Sequence, residues 1–79
     1  MRLMYIVLSR KDEETQNKLT REQFDYIWDD DSRHYKKERA LEQAKKWTRM
    51  FNKQFGTNYE WEDLYGIEEE YFDSEGYRI

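Results

Sequence analysis

Cysteine and proline are both absent from this chain of 79 residues, and glycine occurs three times. Without cysteine there is neither a disulfide framework nor a thiolate zinc site, so folding rests on packing alone. That suits a reducing compartment, and a cytoplasmic location is the expectation. Long apolar runs are missing too. The longest, Leu3 to Leu8, is flanked by Arg2 and, beyond Ser9, by Arg10. A secretory signal needs an apolar stretch of about 7–15 residues and a small-residue cleavage site, and a spanning helix needs about 20. Neither pattern is present, so no membrane partner is expected. Leu, Ile, Val and Phe number only 14 of 79, close to the level at which chains stay disordered.

What opposes disorder is an aromatic content of 18%, with four Phe, three Trp and seven Tyr. Each aromatic side chain buries more area than a valine. One domain spanning residues 1–79, with a thin aromatic core and a stability of a few kcal/mol, follows from this size and composition. Charged residues make up 41% of the chain and the net charge is −4. They fall in blocks: +2 over residues 1–10, −5 over 11–31, +6 over 32–55 and −7 over 56–79. Two readings of this pattern stand side by side. The charges pair within the fold and keep it dissolved, or they form a polarised surface for a charged partner.

The run Leu3-Met4-Tyr5-Ile6-Val7-Leu8 reads as a central strand, buried on both faces. Residues 10–18 contain nothing to bury and read as a mobile loop. Thr20 and Gln23 fit a capping box. After them Phe24, Ile27 and Trp28 share a helical face, while Phe24, Tyr26 and Trp28 alternate as in a strand. Both assignments remain open for residues 20–30. The clearest periodicity gives a helix from about 33 to 55. Ala40, Leu41, Ala44, Trp47, Thr48, Phe51 and Phe55 lie on one side of it, and Arg39, Lys45, Lys46, Arg49 and Lys53 on the other. Asp31 or Ser32 caps its start, and Gly56 stands where a left-handed C-terminal residue belongs. A short helix carrying Trp61, Leu64 and Tyr65 follows and ends near Gly66. Residues 67–72, a turn at 73–76 and residues 77–79 read as a hairpin. The fold class is therefore α+β: a small antiparallel sheet, made of the N-terminal strand and a C-terminal hairpin, packed against one long amphipathic helix, with a second short helix.

Catalytic chemistry finds little support. Triads are assembled across a fold rather than from adjacent residues, and His34, the only histidine, reads as a solvated side chain on a first helical turn. Acid–base catalysis by carboxylates needs a cleft that desolvates one of them, which a chain this poor in aliphatic residues hardly encloses. Asp29-Asp30-Asp31 and the acids of 68–75 lack the alternate spacing and central glycine of a calcium loop. The expectation is a non-enzymatic protein with no cofactor and no metal.

Two surfaces remain as candidates. Lys45, Lys46, Arg49 and Lys53 suit phosphate contact by a basic helix, although a pI near 5.0 is far from the usual footprint of such domains. Against them stand Asp29, Asp30 and Asp31, and Glu68, Glu69, Glu70, Asp73 and Glu75, with Tyr71 or Tyr77 as aromatic anchors. Spaced carboxylates stand in for phosphates, and exposed tyrosines add contact area. In size, acidity, aromatic richness and lack of Cys and Pro, the whole chain resembles small phage-encoded inhibitors of the anti-CRISPR and DNA-mimic kind. That resemblance implies a cytoplasmic inhibitor, acting in the host cytoplasm if phage-encoded. Such a protein occupies the basic groove of a nucleic-acid-binding protein or nuclease. Nucleic-acid binding through the basic helix is the alternative.

Overall fold

A computed structural model describes all residues, Met1–Ile79. The first element is strand β1 (Arg2–Ser9), followed by helices α1 (Glu13–Lys18) and α2 (Arg21–Ile27) and strand β2 (Asp31–His34). The long helix α3 (Lys37–Phe55), the one-turn helix α4 (Trp61–Leu64) and strand β3 (Tyr65–Phe72) complete the chain. The sheet order is β2-β1-β3, with both pairs antiparallel. The α+β architecture, the central N-terminal strand and the long helix across the sheet are as the sequence indicates.

Side-chain alternation divides the sheet into two unlike faces. Val7 and Tyr65, buried to 0% and 1% exposure, point to the side where Leu19, Ile27, Ala40, Ala44, Phe51 and Leu64 complete the core. Tyr5 and Ile67 lie on the same side and pack against that cluster. Ile6 and Phe72 are also buried but stand outside it, on the opposite face. There the Arg33 guanidinium lies 4.8 Å from the Phe72 ring centroid, so a long side chain does the covering that a helix does on the other side. The expectation of a β1 covered alike on both faces is thus corrected: the helices gather on one.

Three boundaries also differ from expectation. Residues 10–18 are not a loop, because α1 forms there. Asp12 caps it by accepting hydrogen bonds from the Thr15 N–H and hydroxyl, both at 2.8 Å, and Thr15 is fully buried. A threonine core residue carries no apolar signal, which is why the segment reads as empty. The long helix begins at Lys37, not 33, with no side-chain cap hydrogen bond. Asp31–His34 instead form β2, pairing Leu8 with Asp31 and Tyr5 with His34. So polar a strand exists only because β1 offers it a ladder. Tyr65 leaves α4 and starts β3, which places Gly66 inside a strand opposite Leu8.

The ambiguity at residues 20–30 resolves as helix followed by turn, and the Thr20–Gln23 capping box is formed in both directions. Gly56 takes φ 64° at the end of α3, a left-handed conformation that glycine adopts without steric cost. The C-terminal hairpin is short. Phe72 bridges Arg78, and the Asp73 carboxylate accepts from the Glu75 and Tyr77 N–H groups, both at 2.9 Å, to hold the turn.

Candidate interaction surface

The acidic residues singled out in the sequence fall into two groups, one on each edge of the sheet. Asp31 lies opposite Leu8 on one edge and Glu68 opposite Ile6 on the other. Both are on the same face, with β1 between them and two residues of strand, about 7 Å, separating their levels. Asp29 and Asp30 belong to the α2–β2 turn. Glu68, Glu69, Glu70, Tyr71, Asp73, Glu75 and Tyr77 follow β3 and its terminal turn.

Several of these side chains already have structural tasks. The Tyr65 hydroxyl donates to the Asp30 carboxylate at 2.5 Å, a contact that ties the turn to the core. Burial raises the Asp30 pKa above the usual carboxylate value, and the Asp29 charge adds to this, while the tyrosine's hydrogen bond works against it. The same burial, together with the charge of Asp30, pushes the Tyr65 phenol above its ordinary value. Asp73 holds its turn. Glu70 pairs with Arg78 at 2.6 Å. Asp29, Asp31, Glu68, Glu69 and Glu75 are exposed and enter no ion pair. Tyr71 and Tyr77 are 52% and 69% exposed.

The basic helix is equally unpaired. Lys45, Lys46, Arg49 and Lys53 are exposed and none has a carboxylate within 4.0 Å. Of the five ion pairs, only Lys18–Asp63 joins distant parts of the chain, and it links the two acidic blocks. The +6 block is therefore not neutralised by direct pairing with the acids on either side. Its charge stands in the solvent along one face of α3.

His34 departs from expectation. It sits half-buried on β2, and its Nε2 is 2.7 Å from the Ser32 hydroxyl, because residues two apart on a strand share a face. No carboxylate is hydrogen-bonded to this imidazole, so the pair lacks the third group that orients a base. No group of three or more His, Asp or Glu side chains comes together in a form able to hold a metal ion. No helix is long and apolar enough to cross a membrane.

One feature of the surface escapes sequence reasoning, the outer edge of β3. The sequence marks residues 67–72 as a strand, but whether a strand is central or at an edge depends on what it pairs with. Three consecutive glutamates are the one local hint, since exposed edges favour charge.

Fold and surface together define a small α+β domain with helices on one face of a three-stranded antiparallel sheet, edge strands β2 and β3, and unpaired charge of both signs. Comparison with protein-family models, curated proteins and solved structures finds no match.

Proposed function

We propose that this chain is a non-enzymatic protein-interaction module that binds a basic surface of a partner protein. Where that surface is a nucleic-acid groove, the bound module excludes the nucleic acid. The observation that carries the reading is the β3 side of the sheet. Glu68, Glu69 and Glu75 are exposed there without counter-charges, beside the exposed rings of Tyr71 and Tyr77. Exposed charges of this kind set association rate, while central aromatics hold most of the affinity.

Capture of the partner from nuclease-treated lysate, followed by association kinetics, tests the reading. The chain carrying both Glu68→Lys and Glu69→Lys is expected to melt as the native chain does and to associate about tenfold more slowly at low salt. Glu70 is left intact because its Arg78 pair is part of the hairpin. Unchanged association by this variant, or recovery abolished by nuclease, overturns the proposal.

A second reading rests on the unpaired bases of α3, which suit phosphate contact. It predicts binding to unrelated DNA or RNA at 50 mM salt that falls steeply as salt rises, by about 0.9 log units per log unit of salt for each phosphate engaged. Reversing the charge of Lys45, Arg49 and Lys53 together should abolish it.

A further inference from the structure

The direction of every peptide group along β3 follows from two hydrogen bonds at its end. The Asp73 N–H donates to the Tyr77 carbonyl at 2.9 Å, and the Ile79 N–H donates to the Tyr71 carbonyl at 3.0 Å. The Tyr71 carbonyl therefore points away from β1. In an antiparallel pair, successive residues turn their N–H and C=O alternately toward the partner strand and away from it. Gly66, Glu68, Glu70 and Phe72 thus bond to β1, while Ile67 and Glu69 turn both groups outward. At the start of the strand the Tyr65 N–H is already engaged by the Trp61 carbonyl of α4. Between α4 and the terminal hairpin the edge presents the Tyr65 carbonyl, both groups of Ile67 and of Glu69, and the Tyr71 N–H. No backbone bond outside the sheet reaches Ile67 or Glu69.

We propose that this edge accepts an extended, lysine- or arginine-rich segment of a partner protein as a fourth strand, about five residues long. The inference rests on the interaction reading above and specifies its site and geometry. Charge complementarity selects the occupant. Glu68 and Glu69 are exposed, unpaired and on opposite faces of the sheet, so an added strand with bases at neighbouring positions meets a carboxylate on each side. A second copy of the chain fits poorly, because an antiparallel β3–β3 pairing sets Glu68–Glu70 against its own likeness, and like charges directly opposite repel. The other edge is a weaker candidate: β2 has four residues and its outward positions, Asp31 and Arg33, carry opposite charges. Strand addition of this kind takes affinity from main-chain bonds and specificity from alternate side chains.

The test uses the full chain, isotopically labelled, and a capped seven-residue peptide of valine and threonine with lysines at neighbouring central positions, so that the added strand carries a base on each face. A peptide with glutamate in place of lysine is the control. Saturable binding of the lysine peptide is expected, with amide exchange at Ile67 and Glu69 slowed about tenfold or more and no response to the control. Glu69→Pro, which removes one outward N–H that the native sheet does not use, should weaken binding, while Glu69→Gln should weaken it less. Binding with unchanged exchange at Ile67 and Glu69 overturns the strand-addition site and leaves the acidic-surface reading standing. Absence of binding at low salt also overturns the strand-addition site, while the partner capture and kinetics described above decide the acidic-surface reading. Should Glu69→Pro fail to fold, the exchange measurement on the unsubstituted chain decides alone.

Discussion

Replacement of Phe51 by alanine is the sharpest probe of how this thin core holds together. Phe51 is fully buried. Its ring centroid lies 4.8 Å from Phe55, 5.8 Å from Tyr59 and 6.0 Å from Tyr26. The side chain thus ties α3 to α2 and to the segment before α4. Removing a buried phenylalanine costs about 3–5 kcal/mol. A single core in a domain this small seldom supplies more than about 3–5 kcal/mol in total. Phe51→Ala should therefore be largely unfolded at 25 °C. Phe51→Leu keeps most of the volume and loses the edge-to-face contacts, each worth about 0.5–1.5 kcal/mol. At about 4–8 °C per kcal/mol for this size, it should melt at least several degrees lower while still folding. Met50, one residue earlier and 48% exposed, is the control, since Met50→Ala should stay within about 0.5 kcal/mol of the native chain. Thermal and urea unfolding followed by circular dichroism measure all three. A cooperative Phe51→Ala transition within a few degrees of the native one, or equal effects at positions 50 and 51, would refute the placement of this helix face at the centre of the core.

Asp12 caps α1, and its hydrogen bonds to Thr15 hold its pKa down to about 2. A depressed folded-state value contributes stability above the ordinary pKa of 3.8 that is lost as pH falls through 2. Asp12→Ala should accordingly lower the melting temperature at pH 7 and make little difference below pH 2; an effect independent of pH would deny the cap its role. Asp30 has the opposite sign: its raised pKa means stability is fullest below 3.8 and declines as pH rises through the folded value. The melting-temperature advantage of Asp30→Asn over the native chain should then be largest near neutrality and shrink toward pH 4, and an advantage that grows on acidification would contradict this. On the open face, Arg33→Ala uncovers Phe72 and should destabilise by about 1 kcal/mol, whereas Arg33→Lys should recover part of that loss in the same melts.

The long helix, the capping box at Thr20, the terminal turn at Asp73 and the strand character of residues 3–9 were legible in the sequence. Each depends on neighbours within a few residues: a 3.6-residue apolar period, a hydroxyl three residues from an amide, a β-branched run. What lay beyond the sequence was set by partners far along the chain. Asp31–His34 became a strand because β1 was there to pair with it, and Glu13–Lys18 became a helix because Thr15 found a place in the core. Which charges met was likewise decided in three dimensions. Asp30 was drawn into a bond with Tyr65, thirty-five residues away, and Glu70 into one with Arg78, while Glu68, Glu69 and the bases of α3 were left facing water. Strand order is the last such decision. A ladder satisfies each residue's N–H and C=O on one side only, and with β1 at the centre β3 carried its unused peptide groups and its glutamates to the open edge.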